Sequence, residues 1–404
     1  MNKVLFQKIF NNSVLSKLIF NLVHHIHFDL LKQNHCIYKW KDVINTPYVL
    51  SGHGYLELLK EYLSRNNKNM CVSFIDYSYN YQILVDAVRG CNGLHILKFL
   101  LDELRIDPYK IWQSQQNTTE DLMYFAAKHG RLEIIYYLVG KYSRWDFYNA
   151  ITVAPLSGNM ELLKFIGSQA CETFENTGAV NFENYLTTTY DSAALVGRID
   201  FIQWLQENRS QDLQLNNCRL YNSAIEGGHL PLLRYLVENK IGYEKLGNIF
   251  DYATLQKQPN TLDILEFLQI HFKTGFCTQA AMNNAASTNN MEVLRWLHNN
   301  RSEGCSSKAM NEAAKNNNFD MLKWLNENRS EGCTNYAIEN AIYHQNIEMI
   351  QYLHVNRPEC SELTFELYMV YHSGIRKAKN QNNYKLYELL MQHDILKLSA
   401  DEYI

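Results

Sequence analysis

A 24-residue segment that returns at a fixed interval constrains this chain more than any other feature. The segment MEVLRWLHNNRSEGCSSKAMNEAA begins at Met291, and FDMLKWLNENRSEGCTNYAIENAI begins at Phe319, 28 residues later. A third copy, IEMIQYLHVNRPEC, starts at Ile347, a further 28 residues on. Self-similarity at roughly 20–50 residues marks a solenoid or array, whose units bury their apolar faces only against their neighbours. Length divided by a typical domain size, which suggests two or three globular domains, is then the wrong division.

Weaker copies continue toward the N-terminus. An apolar anchor recurs at Leu63, Leu100, Leu138, Ile166, Leu205, Leu236, Leu268, Leu297, Leu325, Leu353 and Leu390. These eleven anchors span 327 residues at a mean interval of about 33, with single intervals from 28 to 39.

Each unit has two amphipathic halves. The first ends in Ala-Ala or a relative, as at Ala126-Ala127, Ala193-Ala194, Ala285-Ala286, Ala313-Ala314 and Ala341-Ile342. An apolar residue stands three positions earlier in Met123, Met282, Met310 and Ile338, which gives one helical stripe. The second half reads as in Leu132–Leu138, LEIIYYL. Between the halves stands Gly130, Gly158, Gly197 or Gly228, then Asn289 and Asn317. Gly and Asn tolerate the left-handed conformation that ends a helix. Asn159, Asn290, Asn318 and Asn346 follow as N-caps, and Glu161, Glu292, Asp320 and Glu348 suit the positive end of the second helix. Pro231 sits in that first turn, where proline is tolerated.

The pattern AAKHGRLEIIYYL over Ala126–Leu138, and GHLPLL over Gly228–Leu233, resembles the ankyrin repeat, whose period is about 33 residues. The resemblance covers roughly Thr46–Asp394, with a degenerate last copy over Lys377–Asp394. It is similar in particular to divergent, Asn-rich ankyrin proteins with NRSEGC-type linkers. It implies an all-α fold, an α-solenoid of stacked ankyrin-like helix-turn-helix repeats over residues 46–404, in about eleven units. The family's Thr-Pro-Leu-His opening survives only as a trace at Thr46-Pro47-Tyr48, although Thr278, Ser306, Thr334 and Ser361 stand where they could cap the first helix. The 28-residue units are about five residues short. The projecting β-hairpin fingers are therefore expected to be shortened or missing in the C-terminal units around 297–361. Asp102–Glu120 and Gly167–Leu186 read as long linkers.

Residues 1–45 lie outside the repeat. Phe6, Ile9, Phe10, Leu15, Leu18, Ile19, Leu22 and Val23 suggest two short helices, an N-terminal helical cap on the open end of the array. The run from Leu18 to Leu22 followed by Cys36–Trp40 faintly resembles an F-box, without its Leu-Pro start. The apolar segment Val14–Phe28 is interrupted by Lys17, His24, His25 and His27, and no cleavage site follows.

Composition agrees with a helical array. The 18 Gly and 6 Pro in 404 residues are about half the average share. The 43 Asn are a surplus that helix ends and linkers explain in part. With 38 basic and 42 acidic residues the net charge is −4, which gives no electrostatic case for nucleic acid or an anionic membrane as partner. The nine cysteines form no CxxC pair, and no apolar run reaches membrane-spanning length. The chain reads as a cytoplasmic monomer with reduced cysteines, so triplets such as those at Asn208, Asn300 and Asn328 are not glycosylation signals.

No chemistry-bearing constellation stands out. Cys277, Cys305, Cys333 and Cys360 recur at one repeat position, but stacked positions lie about 8–10 Å apart, too far for a metal cage or a disulfide. They read as small buried residues. His24, His25 and His27 do not share a helix face. No phosphate-loop, nucleophile-elbow or zinc-protease motif is present. Trp204, Trp296 and Trp324 occupy one position in the second helix and read as packing between units.

What the resemblance implies is therefore a non-enzymatic scaffold, without cofactor or metal, that binds a protein partner on its concave face. The ankyrin pattern assigns that face to the two residues after Ala-Ala. Here these are Lys128 and His129, Leu195 and Val196, Glu226 and Gly227, Ser287 and Thr288, Lys315 and Asn316, and Tyr343 and His344. The other reading is a substrate adaptor of a ubiquitin ligase, acting through residues 1–45.

Overall fold

A computed structural model of the chain describes residues 45–66, 77–90, 93–109, 120–143, 145–177, 188–214, 218–243, 246–272, 276–357, 365–381 and 383–392. The cap and the F-box-like run, on residues 1–44, lie outside them. The described residues form 22 α-helices and no strand. The chain divides into two compact units, Met1–Trp145 and Asp146–Ile404, a division with no counterpart in the repeat pattern.

In the first unit, α1 (Pro47–Gly52) pairs with α2 (Leu56–Asn66), α3 (Tyr77–Arg89) with α4 (Gly93–Lys98), and α5 (Leu122–Lys128) with α6 (Leu132–Lys141). A π-turn over Phe99–Glu103 prolongs α4, so the linker expected from Asp102 begins inside a helix.

The second unit opens with α7 (Phe147–Val153) and α8 (Met160–Thr177), α9 (Thr189–Leu195) and α10 (Ile199–Asn208), and α11 (Leu220–Glu226) and α12 (Leu230–Glu238). It continues with α13 (Ile249–Leu255) and α14 (Thr261–His271), α15 (Gln279–Ser287) and α16 (Met291–Asn300), and α17 (Ser307–Lys315) and α18 (Phe319–Asn328). The last pairs are α19 (Asn335–Tyr343) with α20 (Ile347–Asn356), and α21 (Phe365–Asn380) with α22 (Tyr384–Gln392). First helices pack on first helices in one row, from α7 through α21.

The linker expected over Gly167–Leu186 is a correction: α8 stays helical to Thr177. Gly167 is not a turn residue. A Cβ there would lie 2.5 Å from Trp204 Cη2, so the glycine makes room for the indole of the next second helix.

The repeat pattern explains the core. All eleven anchors from Leu63 to Leu390 are buried, as are Met123, Met282, Met310 and Ile338. The Ala-Ala pairs are wholly buried, and with no side chain beyond Cβ they set the close spacing of the first-helix row. Gly130, Gly158, Gly197, Gly228, Asn289 and Asn317 all have positive φ, and Gln345 fills the same slot at φ +57° without being either expected residue. Asn159, Asn290, Asn318 and Asn346 each accept backbone N–H bonds in the first turn of the following helix. Thr278 and Ser306 cap their helices, whereas the Thr334 side chain makes no cap bond and accepts instead from Asn311 Nδ2. Ser361 lies outside the described residues.

The fingers are absent at 301–306 and 329–334, and the NRSEGC motif shows what replaces them. Asn300 and Asn328 donate back to the carbonyls of Trp296 and Trp324 at 2.8 Å, closing the second helix. Arg329 grips Glu331 through two bonds, at 3.2 and 2.5 Å. Glu331 Oε1 also accepts the Cys305 N–H of the preceding linker at 3.2 Å. Gly304, at φ +74°, leaves the space that Arg329 fills, because a Cβ there would lie 2.4 Å from Nη2. The two six-residue linkers are thus tied to each other by side chains of the second.

Candidate protein-interaction face

The residues after Ala-Ala stand at the C-terminal ends of successive first helices. In the first unit Lys128 lies 5.7 Å over the Tyr124 ring. Burial holds the His129 imidazole below its ordinary pKa, aided by the charges of Arg89, Lys128 and Arg131, so His129 is a neutral ring at physiological pH.

In the second unit the pairs Leu195-Val196, Glu226-Gly227, Ser287-Thr288, Lys315-Asn316 and Tyr343-His344 end α9, α11, α15, α17 and α19. Many are occupied by contacts between neighbouring repeats. Asn316 Nδ2 donates to the carbonyls of Ala286 and Ser287 at 2.9 and 3.0 Å. His344 Nε2 bonds the Lys315 carbonyl at 2.9 Å, as His229 does that of Leu195. Glu226 accepts the Tyr252 hydroxyl at 2.7 Å, and its carbonyl accepts from Gln258. Thr288 turns its hydroxyl back onto the carbonyls of Asn284 and Ala285. Ser287 is half-buried.

Lys315 and Tyr343 stand out into solvent, as do Glu226, Asn316 and His344, which the bonds above tie to neighbouring repeats. The Lys315 side chain is 64% exposed, 3.5 Å from Glu312. Tyr343 is 69% exposed. The sequence reading missed two further residues beside it, Tyr336, 66% exposed, and Lys377. Lys377 Nζ donates to the Tyr343 carbonyl at 3.2 Å and lies 4.9 Å from its ring centroid. Together with Ile342, Val370 and Gly374 they line a groove of about 320 Å³ between α19 and α21. The spacing of Tyr336 and Tyr343, two helical turns apart, was the available signal.

The two-helix units, their turn residues and this row of first-helix ends agree with a match of residues 278–325 to the family model described as ankyrin repeats in many copies. This segment is built of ankyrin repeats, and the match supports an ankyrin-repeat protein. The matched segment covers α15, α16, α17 and most of α18, the units whose linkers lack fingers. No curated protein matches the sequence. Ankyrin repeats are generally protein–protein interaction modules, and the family is typically non-enzymatic.

The other motifs of the chain have structural places. Trp204 packs over Gly167, and Trp324 meets the His298 ring edge-on at 5.1 Å. Burial, then the nearby Glu331 carboxylate, pushes the Cys305 thiol up to about 11. Burial, then Glu303, takes Cys277 to about 12, so both are protonated and unreactive at neutral pH. Cys218, Cys277 and Cys305 are free thiols. Cys333 is disulfide-bonded, which corrects the reading that every cysteine is reduced. Its partner is none of those three thiols, and for Cys333 the expectation that the ladder positions lie too far apart for any disulfide role does not hold. Cys360 and the cluster His24, His25 and His27 lie outside the described residues. Among the described residues no group of three His, Cys, Asp or Glu is placed to hold a metal, and no helix is long and apolar enough to cross a membrane.

Proposed function

We propose that the chain is a non-enzymatic scaffold that binds a protein partner on the first-helix face of its second unit, the side that corresponds to the concave face of ankyrin proteins. One observation carries this reading. At the position that reads Ser287, Lys315 and Tyr343 in successive units, the last presents a phenol that is 69% exposed, while neighbours in the same turns are held by bonds between repeats. A rigid turn with an exposed aromatic is a low-entropy anchor, and aromatic residues are enriched where protein interfaces form.

The test is selection of a displayed library of random twelve-residue peptides on the immobilised full chain, followed by titration of selected binders. The double substitution Tyr343→Ala, Lys315→Ala should weaken binders by about 2 kcal/mol, the scale of an interface hot spot. Both side chains are exposed, so the fold should survive. Binders that keep full affinity for the doubly substituted chain would reject this face.

A further inference from the structure

We infer that the groove between α19 and α21 is a pocket for an acidic peptide segment that carries a large apolar or aromatic side chain, with Lys377 receiving the carboxylate. The inference rests on the reading above and names the chemistry of the partner.

The groove follows from local sequence. Gly374 lets α21 approach α19, because a Cβ there would meet Ile342 Cγ2 at 2.5 Å. Ile342 and Gly374 are buried and form the floor. Tyr336 and Tyr343 stand two turns apart on one side of α19 and rise as walls, each about two-thirds exposed. The volume of about 320 Å³ lies at the small end of ligand sites, suited to one or two side chains rather than a folded surface. Apolar floor and aromatic walls select a Phe, Tyr, Trp or Leu side chain.

Charge selects what accompanies it. An ammonium has three donors. Lys377 uses one on the Tyr343 carbonyl, which fixes the head group at the groove while leaving donors for a ligand. The stretch from Val370 to Gln381 carries Arg376, Lys377 and Lys379 and no carboxylate. Lys315, 64% exposed, ends the neighbouring first helix. Glu339 is the one acidic residue that lines the groove. This end of the face is cationic on a chain whose net charge is −4. A long polyanion such as nucleic acid would be repelled by the rest of the chain, whereas a short acidic segment meets only the local excess.

The experiment extends the same peptide selection on the full chain. Enriched peptides should pair a large apolar or aromatic residue with Asp or Glu close by. A synthetic, fluorescein-labelled binder, followed by anisotropy, should lose about tenfold affinity on Lys377→Glu and less on Lys377→Gln, with Tyr336→Ala also weakening it. A version of that peptide with its acidic residues changed to Lys should bind the Lys377→Glu chain better than the unsubstituted chain. Binders that lose affinity on Tyr343→Ala but carry no acidic residue and ignore Lys377→Glu would overturn the pocket and leave the face intact. Binders indifferent to both substitutions would overturn the pocket and the face together.

Discussion

Asn283 and Ser306, 23 residues apart, exchange two hydrogen bonds: Asn283 Oδ1 accepts the Ser306 N–H at 3.1 Å, and Asn283 Nδ2 donates to Ser306 Oγ at 2.9 Å. One unit on, Asn311 and Thr334 repeat the pair at 3.0 and 2.8 Å. One unit back, Asp251 takes the place of the asparagine and accepts both the Thr278 N–H and its hydroxyl. Each first helix thus fixes the N-cap of the next one. The rung needs an acceptor at Oδ1, and the hydroxyl supplies or accepts the second bond according to its partner.

Replacing that acceptor leaves the half-buried Ser306 N–H without its partner. Asn283→Ala should cost about 1–3 kcal/mol of unfolding free energy, the cost of an unsatisfied buried polar group. Asn283→Asp should cost much less, because Asp251 already serves in this way. Urea unfolding of the full chain, followed by far-ultraviolet dichroism, distinguishes them. Equal losses would mean that the rung does not hold the repeats in register.

These rungs also mark how much of the chain could be read from its sequence. The helix pairs were legible because Leu, Met and Ala recur at helical spacing and burial follows spacing directly. The left-handed turns were legible where Gly or Asn filled them, but Gln345 has no intrinsic preference for φ +57° and is held there by its setting. Asn316 and His344 are chemically suited to a partner. Only the stacking distance, which a sequence does not state, reveals that they bond the preceding turn instead. Lys377 was missed because α21, at 16 residues, departs from the period that located the ends of α9, α11, α15, α17 and α19.

Gly197 is required twice over. Its φ is +71°, and a Cβ would lie 2.3 Å from His229 Cγ, which bonds the Leu195 carbonyl through Nε2 at 2.9 Å. Gly197→Ala should therefore destabilise by about 2 kcal/mol, combining left-handed strain with displacement of the imidazole. Gly140→Ala is the control. It lies in α6 with nothing within 4 Å of the added methyl, and should stabilise by up to about 1 kcal/mol. Midpoints of urea unfolding for the two variants should move in opposite directions, and a shared direction would refute the assignment.

Arg209 is 1% exposed and pairs with Asp212 at 2.7 and 3.2 Å, while its guanidinium lies 5.2 Å over the Tyr148 ring. Removing one partner strands the other charge. Arg209→Met should cost about 3–5 kcal/mol, and adding Asp212→Leu should recover most of that loss, because an apolar pair avoids the desolvation both ions suffer. A double variant no more stable than Arg209→Met would show that the pair contributes more than charge compensation.

Glu331 supplies a pH-dependent term. Burial alone would raise its pKa, but the Arg329 hydrogen bond and the Cys305 N–H outweigh it and hold the carboxyl at about 2, against an ordinary 4.5. A carboxyl depressed on folding stabilises the native state fully above its unfolded value, and that contribution fades as pH falls from about 4.5 through about 2. Glu331→Gln should lower stability at neutral pH by about 1–3 kcal/mol, the range for hydrogen bonds to a charged group. The difference from the unsubstituted chain should shrink across that acid window and vanish near pH 2. Unfolding measured at closely spaced pH values checks this, and a difference that stays constant down to pH 2 would exclude the ionised carboxylate as its source.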